Sequence, residues 1–170
     1  MEDIKNAKEK VLDVYKQLQP IVDGVVAKNA KDIDNLIKKI KTNLTTLTNK
    51  ELQEFMLQLS VETYYFATIK DSAILKQECA TALLNEGIAN VFNSTAGTQM
   101  VRTNQATMDN LDKQTVKILY NAVANNMKSK LDEAHRMINV LSSVLISKNA
   151  EAKLQNNIYP DNNKGESSNE

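Results

Sequence analysis

The sequence has very few of the residues that usually form disulfides, metal sites or turns. Of its 170 residues one is Cys, one is His, two are Pro and four are Gly, and there is no Trp. A single Cys excludes an internal disulfide, and a single His excludes metal sites built from several histidines. The scarcity of Pro and Gly favours helices throughout.

Charge and hydropathy exclude further classes of protein. The 21 basic and 21 acidic residues give a net charge of zero, so no overall field attracts nucleic acid or an acidic membrane. No apolar run approaches the roughly 18 to 20 residues that cross a bilayer. The N-terminal segment MEDIKNAKEKVLDVY lacks the apolar core of a signal peptide. We expect a cytoplasmic protein without membrane contact.

The spacing of apolar residues predicts an all-α fold. Residues 1–48 are predicted to form shorter N-terminal helices interrupted at Pro20, and the capping box TNKE at Thr48 opens a long helix over 49–93. A polar break containing Gly97 precedes a second long helix over 104–148. These helices are expected to form one domain, 1–148, as an elongated hairpin or bundle. The Asn-rich segment 149–170 is predicted to be a disordered tail.

Each long helix carries an apolar stripe. The first stripe has a seven-residue period, and the second proceeds in steps of three and four. Helices of this length measure roughly 65 Å, more than one small chain is expected to cover, so we expect a homo-oligomer. The residues assigned to packing or oligomer contacts are Leu52, Leu59, Phe66, Ala73, Ala80, Tyr120, Met127, Ile138, Leu141 and Leu145.

The sequence offers little for catalysis. It has no Walker or Gly-x-Gly-x-x-Gly motif. Asp132 and His135 stand three residues apart on a predicted helix, but a metal would need further ligands. Cys79 and His135 are a conceivable nucleophile and base, although a lone Cys on a helix is more often a packing residue. We predict no enzyme activity, no metal and no cofactor.

Basic residues are concentrated in the second half of the chain. Residues 94–148 carry seven basic and four acidic groups, a net charge of +3. A repeated basic face on an oligomer would bind phosphates, whereas a solvated helix surface explains the same lysines. The candidate nucleic-acid contacts are Arg102, Lys113, Lys117, Lys128, Lys130 and Arg136, with a secondary patch of Lys38, Lys39 and Lys41.

One aromatic cluster lies in the first long helix. Phe66 belongs to the apolar stripe, while Tyr64 or Tyr65 points elsewhere. Bases stack on such rings in some single-strand-binding proteins. Packing under the N-terminal helices is the alternative that we favour.

Three segments within residues 60–146 carry a family resemblance: YYFATIKDSAILKQECATALL, the polar break NSTAGTQ, and ATMDNLDKQTVKILYNAVANNMKSKLDEAHRMINVL. In this order they resemble the UvsY-type recombination mediators of tailed phages. The resemblance implies a small helical protein that oligomerises, binds single-stranded DNA and helps to load a recombinase. That family has basic residues near the end of its first long helix, whereas ATALLNEGIANVFNSTAG here contains none. Any DNA contacts are therefore expected first at Arg102, Lys113 and Lys117.

Two hypotheses follow. The first is an oligomeric, non-enzymatic mediator that binds single-stranded DNA and a recombinase. The second is a helical protein-interaction component, a virion-assembly protein or a host inhibitor, that binds another phage or host protein and no nucleic acid. Neutral net charge favours the second, and the positive 94–148 region favours the first.

Overall fold

The fold is all-α, as predicted. The computed structural model describes the backbone of residues 2–158 and the side chains of residues 11–155. Over that range there is no strand, and no helix is long and apolar enough to cross a membrane. The helices are α1 Glu2–Asn43, α2 Asn49–Ser94, α3 Gln99–Met108 and α4 Leu111–Ile158.

The prediction of shorter N-terminal helices is wrong, because α1 is one helix of 42 residues that continues through Pro20. Proline removes one backbone donor and crowds the carbonyl one turn earlier. Both Pro20 and Lys16 are exposed, so water can satisfy the carbonyl that loses its partner. A hydrogen bond of 2.7 Å from Gln19 Nε2 to Asp23 Oδ1 spans the same turn.

Both ends of α2 follow from local sequence. Thr48 accepts from the backbone N–H of Glu51, and the Glu51 carboxylate accepts from the backbone N–H of Thr48, so the predicted capping box is confirmed. Hydrogen bonds from the backbone and side chain of Thr48 lower the pKa of Glu51. At the other end Gly97 has φ 122°, which favours glycine, and the chain turns there into α3.

The predicted helix over 104–148 is wrong at its start. A separate helix, α3, ends at Met108, and α4 begins after Asp109 and Asn110. Asn110 is buried, and its side-chain amide donates to the carbonyl of Ala106. Asn competes for backbone bonds with its own side chain, so it disfavours a continuous helix at this point.

The prediction of a disordered tail from residue 149 is wrong as far as residue 158, because α4 continues to Ile158. Ala150, Ala152 and Leu154 favour helix, and extending an existing helix avoids the cost of nucleation. The remainder of the predicted tail, 159–170, lies outside the described residues.

The helices α2 and α4 share the most extensive contact and run antiparallel. Asn49 hydrogen-bonds to Asn149 over 2.8 Å, and Gln77 hydrogen-bonds to Asn121 over 3.0 Å. α1 runs alongside both and parallel to α4: its residue Asp34 contacts Lys130, and Leu47, just beyond α1, accepts a hydrogen bond from Lys148. α3 packs on α2.

The stripe predicted on α2 lies inside the chain. Its five members are buried, and Gly87 continues them at the same spacing. On α4 the stripe is split between buried Met127 and Leu141 and half-buried Tyr120, Ile138 and Leu145. All of the predicted stripe residues except Ala80 and Tyr120 belong to or pack against the main core, and the whole α2 stripe is buried, so it is not exposed to a second subunit.

Candidate interaction surfaces

Arg102 is held by the end of α2. Its Nε donates to the carbonyl of Phe92 over 2.8 Å, and its guanidinium lies 4.3 Å from the centre of the Phe92 ring. A cation at a helix C-terminus also compensates the partial negative charge of the last carbonyls. Arg102 therefore connects α3 to α2, and this position accounts for its charge without nucleic acid.

Lys130 and Lys41 belong to an ion-pair network between α1 and α4. Lys130 lies 2.8 Å from Asp34 and 3.2 Å from Glu133, and Lys41 lies 3.2 Å from the same Glu133. The hydrogen bond to Asp34 raises the pKa of Lys130, against the effect of burial. Burial acts to raise the pKa of Glu133, but hydrogen bonds from Lys130 and Lys41 hold that pKa below its ordinary value. Their charges are already compensated.

Three of the predicted contacts share one edge of α4. Lys113, Lys117 and Lys128 fall within about 60° of one another around the helix, at 3.6 residues per turn. None of the three makes an ion pair within the part of the chain that the structure describes. The ammonium of Lys113 lies beside Gly87 of α2, where a side chain would collide with it. This lysine edge is the part of the predicted basic surface that stays available.

The remaining basic candidates are dispersed. Arg136 is exposed about 80° further round α4 than Lys128 and donates to the carbonyl of Asp132. Lys38 and Lys39 are exposed on α1, a different helix. The structure therefore does not bring the predicted residues together into one patch.

The aromatic cluster divides between the inside and the outside of the chain. Phe66 is buried, whereas Tyr64 and Tyr65 are exposed and meet edge to face, with ring centroids 5.8 Å apart. The expectation that the tyrosines pack under the N-terminal helices is wrong. On a single straight helix, consecutive positions 64 and 65 cannot both join the stripe of Phe66.

The candidate catalytic pair is separated by the fold. Because Gln77 lies against Asn121, Cys79 is level with the first turns of α4. His135 follows Asn121 by fourteen residues, about 21 Å along the helix axis. Cys79 is exposed, and no group of three possible metal ligands occurs among the described residues.

An apolar groove lies where α1 passes the start of α4. The volume of this groove is about 550 Å³. Val11 is 69% exposed and Tyr15 57% exposed, so the groove is open rather than enclosed. Its lining residues are Val11, Val14, Tyr15, Leu18, Gln19, Val22, Leu111, Gln114, Thr115, Ile118 and Ala122, and we call it the α1/α4 groove.

Val11, Val14, Tyr15 and Leu18 have helical spacing in the sequence, which indicates an apolar face on α1. The sequence alone does not show which part of that face is covered by another helix, because this depends on how far along α1 the contact with α2 extends. None of the residues lining the groove belongs to α2. Near the other end of α1 a smaller groove lies between α1 and α2. Leu36 of α1 and Val61 of α2 are among its lining residues.

No known protein family matches the chain. Comparison with curated proteins and with solved structures likewise finds no match. The resemblance to UvsY-type mediators therefore stays a prediction, as do the cytoplasmic location and the partners.

Proposed function

We propose that this is a non-enzymatic helical accessory protein that binds an amphipathic helix of another protein in the α1/α4 groove. The observation that carries the proposal is the open apolar groove itself. Soluble proteins seldom expose large contiguous apolar surfaces unless these mark an interaction site. The proposal favours the second of the two hypotheses drawn from the sequence.

The shape of the groove selects the kind of partner. Its two walls are helices lying side by side, and a third amphipathic helix is the element that completes such a layer. Small-molecule sites usually enclose most of their ligand. Val11 and Tyr15 are more than half exposed in this groove. A protein helix can cover them with its apolar face while its polar face stays in contact with solvent.

The test is retention of proteins from host lysate at about 500 mM salt, which suppresses contacts that depend on exposed charges. The bait variants place a charge on each wall, Val14→Lys together with Ile118→Lys. Val140→Lys with Leu154→Lys serves as a matched control, since both are exposed apolar residues of α4 outside the groove. A supporting result is one identified protein that the wild-type and control chains retain, that the groove variant loses, and that binds again as a purified pair. Equal retention by all three chains would contradict the proposal.

The lysine edge supports a second candidate function, binding of single-stranded DNA. Lys113, Lys117 and Lys128 carry three charges without an ion-pair partner in the described part of the chain. This candidate keeps the predicted recombination-mediator role, in which a recombinase is the protein partner.

Fluorescence anisotropy of a labelled single-stranded oligonucleotide tests this candidate across a salt series. Each lysine that contacts a phosphate should contribute roughly one unit to the salt slope. Lys113→Ala, Lys117→Ala and Lys128→Ala should each reduce that slope, whereas Lys38→Ala should leave it unchanged. Absence of binding at about 50 mM salt would remove this candidate.

A further inference from the structure

The face of α2 opposite its buried stripe carries a second apolar strip, which borders α1 at Leu57, Val61 and Ser72. From Leu57 to Leu83 the positions on this face hold no acidic or basic side chain, over about 39 Å of helix. All of its members are exposed. We define the outer strip as Leu57, Val61, Tyr64, Tyr65, Thr68, Ser72, Leu75, Cys79 and Leu83.

Positions of the outer strip recur at a spacing of eleven residues, although the residue types differ. Val61 and Ser72 are eleven residues apart, as are Thr68 and Cys79. An eleven-residue repeat corresponds to 3.67 residues per turn, close to that of an undistorted helix. The strip therefore runs nearly parallel to the helix axis instead of winding around it, so a second straight helix can follow it over its whole length.

The outer strip is also symmetric about the position of Lys70. Leu57 and Leu83 stand thirteen residues to either side of Lys70, and Val61 and Cys79 stand nine to either side. Nearer the centre, Tyr65 matches Leu75 and Thr68 matches Ser72 in the same way. Each large residue of the strip except Tyr64 thus has an apolar counterpart, and the two small residues, Thr68 and Ser72, share the centre.

A surface with this symmetry fits a second copy of itself. In a twofold interface, residue i of one subunit meets residue j of the other, and j meets i. Two α2 helices packed antiparallel about the position of Lys70 would place every member of one strip opposite a member of the other, except Tyr64. The position that matches Tyr64 is Lys76, and these two residues would lie at the rims of the interface.

The exposed area is sufficient for such an interface. The six large side chains of the strip are between 43% and 75% exposed. At roughly 100 Å² each they offer about 600 Å² per subunit, close to the about 800 Å² per partner of a standard interface. We propose that the protein forms an antiparallel twofold dimer through the outer strip of α2. This inference is independent of the α1/α4 groove and of nucleic acid.

The test uses the native Cys79 together with Val61→Cys. Within one chain these positions are eighteen residues apart, about 27 Å along the helix, so no intramolecular disulfide can join them. In the proposed dimer the new thiol lies opposite Cys79 of the other subunit. Oxidation, or a short bis-maleimide, should therefore yield covalent dimers of V61C.

Two controls fix the register. V61C with C79S should give no covalent dimer, because position 61 is also about 27 Å from its own copy across the twofold axis. The wild-type chain should give none for the same reason. Efficient coupling in either control would overturn the antiparallel register, as would no coupling in V61C. All of these positions are exposed, and an unchanged circular dichroism spectrum verifies that each variant folds.

A charged residue in the strip gives an independent readout by light scattering. Leu75→Lys should raise the dimer dissociation constant roughly thirtyfold or more, as loss of a central apolar contact does at protein interfaces. Leu154→Lys is the matched control, since Leu154 is equally exposed but lies on α4. A monomeric wild-type chain at micromolar concentration, or equal effects of both variants, would overturn the proposal.

A substitution at the ends of the strip should strengthen the dimer instead of weakening it. Glu54 and Glu86 stand sixteen residues to either side of Lys70, so their carboxylates would face each other at both ends of the dimer. Glu86→Lys replaces a like-charge contact with an opposite-charge one and should tighten the dimer about two- to fivefold, the range of exposed ion pairs. An unchanged or weaker dimer would contradict this register.

Discussion

The two halves of α1 pack along the same helix, α4, with opposite results. In the C-terminal half Ile33, Ile37 and Ile40 are buried, with Ile37 only 4% exposed. In the N-terminal half Val11 and Tyr15 are mostly exposed although their spacing is also helical. The apolar spacing is the same, and the difference is the third helix: α2 covers one half and does not line the groove beside the other. An amphipathic pattern thus predicts that one face of a helix packs against another helix. The pattern does not show whether that second helix belongs to the same chain.

Substituting one apolar residue in each half is the strongest way to test this comparison. Ile37→Ala should lower the free energy of unfolding by about 2–5 kcal/mol, because it leaves a cavity in the core. Val14→Ala should change it by less than about 0.5 kcal/mol, since Val14 is already exposed. Urea unfolding followed by circular dichroism measures both. Similar losses would show that the N-terminal half of α1 is packed as tightly as the C-terminal half.

Two glycines extend the comparison to helix packing. A methyl group at Gly87 of α2 would collide with the side chains of Asn110 and Lys113, whereas at Gly24 of α1 nothing lies within 4 Å. Gly87→Ala should cost about 1–3 kcal/mol, because buried Asn110 must move.

Gly24→Ala should instead stabilise the chain by about 0.5–1 kcal/mol through helix propensity. Thermal and urea unfolding of the two variants give the signs directly. Stabilisation by both would mean that α2 and the start of α4 are further apart than described.

The ion-pair network gives the smallest expected effect, and it depends on pH. The pKa of Glu133 is below its ordinary value of 4.5, so its stabilising contribution is present above pH 4.5 and is lost as the pH falls through the lowered pKa. Glu133→Gln should therefore cost about 0.5–1 kcal/mol near neutral pH and progressively less below pH 4.5. A deficit that stays constant down to pH 2 would show that packing, rather than charge, is responsible.

The sequence predicted those features that depend on nearby residues. The capping box at Thr48 and the all-α class follow from local residues, and the structure agrees with both. The sequence also predicts the apolar stripe of α2 as a packing or oligomer contact, and the structure buries it within one chain. The errors at Pro20, at Asn110 and at residue 149 are helix boundaries. A long helix can continue through a residue of low helix propensity, as α1 does at Pro20. Conversely, a buried side chain such as Asn110 can end a helix that the local propensities would extend.

The sequence predicted a basic surface, but the charges alone do not show which basic residues form ion pairs or hydrogen bonds within the chain. Arg102, Lys41 and Lys130 each have partners on another helix, which no residue count can show. The outer strip of α2 was missed because Tyr64, Thr68 and Cys79 are not all apolar, and because the stronger seven-residue stripe lies on the opposite face. Its twofold symmetry became visible only when burial separated the two faces.

In the function proposed above, the protein binds its partners through outward-facing apolar surfaces rather than through its basic residues. The most direct test is the light-scattering mass of the wild-type chain at about 50 and 300 mM salt, with and without a single-stranded oligonucleotide. We expect the mass of a dimer at both salt concentrations and no increase in mass with the oligonucleotide. A monomer at both concentrations, or an oligonucleotide bound at 50 mM and released at 300 mM, would contradict it.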